Sequence, residues 1–256
     1  MEGCVLKGSV QSPWGKIGLC ASDTGIVHVH LPTRNHCGNP VFPGSLTPVN
    51  ITSDNGAEPL RSEEGCAQQK DLSVEYSITE QSGSATPSEY INLSQKKLNA
   101  GTILHTAQTQ IAEYFTGKRR IFTVPLDVHQ FLRVPTGATN KEQVAQYADI
   151  VEQAKHLLPE DAYEFALVAK DYLNFTHRAQ LSLSHVPYVK TATYKDIAGL
   201  AGNPKAVRAA GMGCASNLLP IFLPCHRIIR SGGNLGNYGG GVEMKRELLT
   251  IEGYFG

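Results

Sequence analysis

No apolar run in the chain approaches the ~20 residues that a membrane-spanning helix needs, so no helical span is expected. The start, Met1-Glu2-Gly3-Cys4, lacks a basic stretch followed by an apolar core, which argues against a secretory signal there. The sequons at Asn50, Asn92 and Asn174 are then expected to be chance matches. There is no CxxC pair. Six cysteines lie at 4, 20, 37, 66, 214 and 225, a spacing that suits free thiols in a reducing compartment better than a disulfide framework. Net charge is missing too, with 23 Lys/Arg against 23 Asp/Glu, which at first speaks against a nucleic-acid partner. What remains is a globular composition, 41% hydrophobic and 18% charged over 256 residues, enough for one large or two ordinary domains.

The zero average conceals an asymmetry. From residue 175 onward nine Lys/Arg stand against four Asp/Glu, an excess of +5, and the preceding residues hold 14 against 19, an excess of −5. A basic C-terminal part is the electrostatic footprint of a DNA-binding module, although a solvated basic face would look the same.

Along the chain, residues 5–31 read as a β-meander with turns at Ser12-Pro13-Trp14-Gly15 and Asp23-Thr24-Gly25. Residues 32–95 turn polar with little periodicity and read as a long loop or disordered insertion. A helix is expected over 106–115 and a strand over 121–126. Residues 140–174 carry Val144, Tyr147, Ile150, Val151, Ala154, Leu157 and Leu158 at helical spacing, and Pro159-Glu160-Asp161 opens a second helix. This pair is read as packing, with no chemistry in it. Further on, Thr193-Tyr194-Lys195-Asp196 is a capping box that starts a short helix with Ile197, Leu200 and Ala201 on its apolar side, ended by Gly202. Asn203 and Pro204 are expected to cap and open the next helix, Lys205 to Gly211. Two short helices so joined make a helix-turn-helix. The second is poor in base readers: Arg208 stands among alanines, which suits close approach to minor-groove walls better than major-groove reading.

The chemistry gathers at Pro224-Cys225-His226-Arg227, which follows the apolar run 218–223. A thiol beside an imidazole is the usual start of a nucleophile, because the thiolate reacts and histidine can generate it. A buried structural cysteine beside a surface histidine is the bland alternative. Pro220 and Pro224 stiffen the approach and argue against a central strand or helix interior, so the thiol is expected at the end of a buried segment. A glycine-rich loop, 231–241, follows and would let backbone approach a flat ligand. A last helix spans 242–251. Glu252 in its final turn opposes the helix dipole, which makes sense if the acid is held there to meet a histidine.

These pieces in this order resemble the O6-alkylguanine-DNA alkyltransferases, the methylated-DNA–protein-cysteine S-methyltransferases. The matching stretch, 191–253, holds Thr193-Tyr194, Ala201-Gly202-Asn203-Pro204-Lys205-Ala206-Val207-Arg208-Ala209, Asn217, the run from Pro220 to Arg227, Gly236-Asn237-Tyr238, Gly240-Gly241 and Glu252-Gly253. A looser match covers Ser12-Pro13-Trp14-Gly15-Lys16, Gly25 and Tyr114-Phe115-Thr116-Gly117-Lys118-Arg119. The resemblance implies a mixed α+β, α/β chain in three parts. These are an N-terminal ribonuclease-H-like domain (1–130, with the polar insertion 32–95), a helical linker or insertion (131–174) and a C-terminal winged-helix-like DNA-binding domain (175–256). It implies single-turnover repair of O6-alkylguanine in double-stranded DNA, gripped from the minor groove by a monomer with no membrane role, in the nucleus of a eukaryote or the cytoplasm of a prokaryote.

Roles follow by resemblance. Cys225 accepts the alkyl group, His226 is its base through one water, and Glu252 orients His226. Asn217 ties the active-site turn to the helix-turn-helix, and Tyr194 donates to the guanine ring and crowds the flanking phosphate. Arg208 fills the vacated stack, with Lys205, Ala206 and Ala209 against DNA, while Tyr238, Gly239 and Ile228 line the guanine pocket. No cofactor is implied, although some members carry a structural zinc. Cys4 and Cys20, with His28, His30, His105 and His129, are the candidate ligands, but no short-spaced pair anchors them. Isolated thiols and strand histidines are the preferred reading.

The pattern departs in places. Val189-Lys190 replaces the family's Gly-Glu, Leu218 stands where Pro is common, and 175–186 lacks the apolar stripe of a packed helix. Residues 133–174 have no counterpart. The rival functions are a non-repairing alkylguanine-binding protein, a helix-turn-helix transcription regulator and a cysteine hydrolase. Cys225 weighs against the first, the alanine-rich second helix against the second, and stoichiometric rather than repeated turnover would exclude the third.

Overall fold

The computed structural model describes residues 5–34, 40–41, 87–133 and 141–255. The meander is present: β1 (Leu6–Ser12), β2 (Gly15–Ala21) and β3 (Ile26–His30) form an antiparallel sheet in that order. Ser12 pairs with Gly15 at the hairpin, where the Ser12 hydroxyl donates to the Gly15 carbonyl and accepts from the Trp14 amide. Gly25 has no room for a side chain, since a Cβ there would stand 2.4 Å from the carbonyl carbon of Leu126. Beside it Asp127, buried, accepts hydrogen bonds from Ser22 and Thr24 and pairs with His129.

Most of the expected polar insertion lies outside the described residues, but both its ends differ from expectation. Thr33–Arg34 (β4) pairs with Pro40–Val41 (β5), and α1 runs Pro87–Phe115, beginning well before residue 106. Proline suits the first turn of a helix, where its missing N–H is not needed. The polar composition of 87–105 hid the helix from a reading that relied on apolar spacing. Its C-terminal half is plain: Ala100, Ala107, Ile111 and Tyr114 form a fully buried stripe against the sheet.

The strand expected at 121–126 is absent. Gln110 Oε1 accepts from the amides of Thr123 and Val124, which removes them from any ladder, and Leu126 alone bridges Ile26 and Leu157. The helical pair is present as α2 (Lys141–Gln153), then a 3-10 turn Pro159–Asp161 running into α3 (Ala162–Val168). The missing stripe at 175–186 proves no obstacle to helix. α4 (Phe175–Leu181) is capped by the Asn174 side chain, which accepts from the His177 amide, and a 3-10 turn Ser182–His185 extends it. Its buried face uses Ala179, Gln180 and Leu181, and Gln180 is tolerated there because its amide donates to the Ser216 carbonyl.

β6 (Ala192–Thr193) leads into α5 (Tyr194–Leu200), whose capping box is formed: Thr193 accepts from the Asp196 amide, and Asp196 accepts from the Thr193 amide. Gly202, at φ +88°, ends it as a Schellman turn, with Asn203 N–H bonded to Ala198 O and Gly202 N–H to Gly199 O. The next helix, α6 (Val207–Ala215), starts later than expected, with Ala206 rather than Asn203 at its N-cap. Asn203 instead closes a turn, its side chain accepting from the Lys205 amide and its carbonyl from Ala206. β7 (Ile228–Ile229) pairs parallel with β6, and α7 (Val242–Ile251) closes the chain. One contiguous core runs from Trp14 to Leu248. No helix among the described residues is long and apolar enough to cross a membrane.

Candidate active site

Residues 217–227 are an irregular, fully packed segment, as the two prolines demand. Asn217 braces it from both ends: its amide donates to Leu223 O at 2.7 Å and its oxygen accepts from the Leu219 amide at 3.1 Å. Between them Ile221 adopts φ +77°, a conformation that costs a β-branched residue about 1–3 kcal/mol and persists only where packing imposes it. Leu219, Ile221, Phe222 and Leu223 are all buried, and Phe222 meets Phe122 edge to face at 4.9 Å. The segment delivers a 3-10 turn, Cys225–Arg227, whose three side chains are buried.

Glu252 is placed by a second local device. Gly253, at φ +83°, ends α7 in a Schellman turn (Tyr254 N–H to Leu249 O, Gly253 N–H to Thr250 O), so Glu252 is the C-cap and points inward. His226 Nε2 bonds Glu252 Oε1 at 2.8 Å. Arg227 meets the same carboxylate, Nη2 to Oε1 at 3.0 Å and Nε to Oε2 at 3.0 Å, and donates its Nη1 to Val186 O. Tyr114, reaching in from α1, donates to Oε1 at 2.8 Å. Burial would raise the Glu252 pKa, but the hydrogen bonds and charges of His226 and Arg227 outweigh it and hold the carboxyl at about 2. The acid is therefore ionised and accepts from every partner. The Arg227 guanidinium also supplies what the helix end lacks, offsetting the unfavourable dipole.

His226 is wholly buried, and burial lowers its proton affinity, with Glu252 pulling it back up. Its other nitrogen, Nδ1, is buried with no hydrogen-bond partner. Burial raises the Cys225 thiol above the ordinary cysteine value, while an Asn217 hydrogen bond and the charge of Lys245 work in the opposite direction. Such a thiol is protonated at neutral pH and needs a base to react.

The remaining predicted residues fall into two groups. Tyr194, half-buried, lies against the glycine loop: a Cβ on Gly236 would stand 3.2 Å from its hydroxyl. Tyr238 packs edge-on to the His226 ring, and its buried hydroxyl has no partner. Gly239 is exposed and Ile228 is buried in β7. Arg208 and Lys205 are exposed on the start of α6 and the turn before it, with Ala206 and Ala209 half-covered beside them. The Cβ position of Gly211 lies 3.8 Å from the Tyr194 ring, so this helix and the site are adjacent. Two open clefts, of about 650 Å³ around His185 and Leu200 and about 480 Å³ around Arg230 and Phe255, do not include Cys225.

Three neighbours of the site carry no distinct signal in the sequence. Tyr114 and Arg227 stand inside longer motifs with nothing local to set them apart. Lys245 was not singled out: it is fully buried, donates to the carbonyls of Ile228 and Leu235, and so pins the glycine loop to β7. Burial lowers its pKa to about 8. Charged lysine at such depth is rare without carbonyl partners, and only position 245 on the inner side of α7 hinted at it.

Of the candidate zinc ligands, Cys20 Sγ lies 3.8 Å from His30 Nε2, and the His28 and His30 rings lie 3.9 Å apart, tilted by 32°. His105 is exposed, His129 is engaged by Asp127, and Cys4 lies outside the described residues. Among the described residues no group of three or more ligating side chains could hold a metal.

Cys225 and His226 follow one another in a buried turn, and His226 is held by the Glu252 carboxylate beside a helix-turn-helix in a mixed α/β chain, an arrangement that can serve a thiol nucleophile with an oriented base. Residues 174–254 match the family described as the 6-O-methylguanine DNA methyltransferase DNA binding domain, which bears out the resemblance over that segment. A methylated-DNA–protein-cysteine methyltransferase of Rattus norvegicus is 51% identical over 72 residues, 28% of this chain and 34% of the relative. The constitutive enzyme of that name from Bacillus subtilis is 32% identical over 150 residues, 58% of this chain and 66% of the relative. The chain thus spans about a third of the length of the mammalian relatives it matches. Among solved structures, Mycobacterium tuberculosis OGT in complex with DNA aligns over 96% of this chain and 91% of its own, at 21% identity and TM-score 0.48.

Proposed function

We propose that this protein repairs DNA by moving an alkyl group, typically methyl, from O6 of guanine to Cys225 in one irreversible event. The observation that carries the reading is the buried His226–Glu252 pair, next to buried Cys225 in the same turn, with His226 Nδ1 left unpartnered. A water between the thiol and Nδ1 would pass the thiol proton to the imidazole. The thiolate then forms an S–C bond to the methyl carbon as the C–O6 bond breaks, and the electron pair leaves with guanine. Tyr194 offers a donor to the departing base. The thioether has no easy hydrolytic exit, so each molecule reacts once.

The partner in this reading is double-stranded DNA carrying O6-alkylguanine. An alkyl group inside a duplex is out of reach, so the nucleotide must be extruded at a cost of a few kcal/mol. Exposed Arg208 is suited to fill the gap, with Lys205, Ala206 and Ala209 against the minor groove and Tyr238, Gly239 and Ile228 around the flipped base. The reading includes the finer architecture, a ribonuclease-H-like part (1–130), a helical linker (131–174) and a winged-helix-like part (175–256). It further includes action as a monomer off the membrane, in a nucleus or prokaryotic cytoplasm, with no cofactor in the chemistry. Cys20 and His30 have no third ligand among the described residues, and no step of the proposed reaction is routed through a metal.

The test is to incubate the protein with a duplex containing O6-methylguanine and count methyl groups per mole. Wild type should gain one methyl on the Cys225 peptide and then stop, and Cys225→Ser should gain none. An unmodified wild-type peptide with the base still methylated defeats the proposal.

A further inference from the structure

The N-terminal helix sends one polar atom into the site. Tyr114 is fully buried, its ring held among Phe115, Phe122 and Tyr188, and its hydroxyl donates to Glu252 Oε1 at 2.8 Å. The same hydroxyl lies 3.4 Å from His226 Nε2. The ionised carboxylate can only accept, so the tyrosine proton goes to Glu252. His226 Nε2 must then carry its own proton to bond that oxygen. Nδ1 is left as the imidazole's free lone pair, and Nδ1 is the buried atom without a partner.

We infer that Tyr114 is a positioning residue for His226: by bonding Glu252 Oε1 alongside Nε2, it holds that oxygen where it accepts from the Nε2–H tautomer and limits how strongly Glu252 draws a second proton onto the imidazole. The inference rests on the proposed reaction at Cys225. Oε1 is shared by three residues, His226, Tyr114 and Arg227, while Oε2 is met by Arg227. Removing one donor from Oε1 makes the carboxylate a stronger acceptor for His226 and so favours the imidazolium, which cannot act as a base. The charged and titratable groups facing His226 are Glu252, Arg227 and Lys245, with Tyr114 and Tyr238 beside them. None of the others delivers a neutral O–H to Oε1. The N-terminal part of the chain therefore completes the proton relay of the C-terminal part.

The test compares full-length wild type with Tyr114→Phe, which keeps the ring and its packing and deletes the hydroxyl. The rate of Cys225 methylation by O6-methylguanine duplex, and by the free modified base, is measured from pH 5 to 9. In Tyr114→Phe the acidic limb should move up by roughly one pH unit for both substrates, about a tenfold loss of rate at low pH. DNA affinity should stay unchanged. Adding Tyr114→Phe to Glu252→Gln should move nothing further. An unshifted limb, or a uniform loss tracking the melting temperature, overturns the inference and leaves the proposed reaction standing, whereas no transfer by wild type removes both. Imidazole 15N chemical shifts give a readout free of activity: a His226 ring that titrates higher in Tyr114→Phe than in wild type supports the inference, and Nδ1–H in wild type ends it even if Tyr114→Phe does not fold.

Discussion

This chain sets a cysteine beside a histidine twice, once across a sheet and once in sequence, and the two places differ in what stands behind the imidazole. In the N-terminal sheet, Cys20 lies 3.8 Å from His30, whose ring lies tilted against that of His28. Burial and the neighbouring His30 lower the His28 pKa to about 4, and burial and Lys7 lower that of His30. No carboxylate is bonded to either ring among the described residues. At the other end, His226 is backed by Glu252, and Glu252 by Arg227 and Tyr114. Proximity of sulfur to nitrogen does not make a nucleophile. In the proposed reaction the difference is a carboxylate that fixes the tautomer and offsets the transient positive charge.

The largest contrast expected is between the two thiols. If Cys225→Ser abolishes methyl uptake while Cys20→Ser leaves the stoichiometry at one, the comparison holds, and methylation of the Cys20 peptide instead would reverse it. The next effect concerns the carboxylate. Glu252→Gln should slow transfer by about 100-fold, the scale of a disabled acid–base partner, and should destabilise the fold by about 3 kcal/mol by stranding buried Arg227. Because the folded-state pKa of Glu252 is held at about 2 against an ordinary 4.5, its contribution is fully present above pH 4.5 and is lost as the pH falls toward 2. Urea unfolding across that range should show the decline in wild type and lose that component in Glu252→Gln. A smaller effect belongs to Lys245. Lys245→Met should cost about 2 kcal/mol by leaving the Ile228 and Leu235 carbonyls without their donor. The folded lysine sits at about 8 against 10.5, so the unfolded chain binds more protons between these values and wild-type stability should gain as the pH rises through them. Unfolding curves at pH 7.5 and 10 should show that gain in wild type and its disappearance in Lys245→Met.

Local signals survived folding where their partners are close in sequence. The capping box at Thr193 and Asp196, the stop at Gly202 and the helix 242–251 are readable because each is settled within one or two turns. Signals failed where a distant group intervened. Gln180 broke the stripe of α4 because its partner is Ser216, and residues 121–126 did not become a strand because Gln110 occupies their amides. Asn203 and Pro204 looked like a helix start, yet the turn they form delays α6 to Val207.

The sequence alone therefore determined the nucleophile candidate, the placement of Glu252 at a helix end and the helix-turn-helix, since all rest on adjacent residues and short-range backbone chemistry. Only the tertiary structure decided which donors share Glu252. Tyr114 and Arg227 reach it from 138 and 25 residues away, and such contacts are set by packing of the whole core rather than by any local pattern.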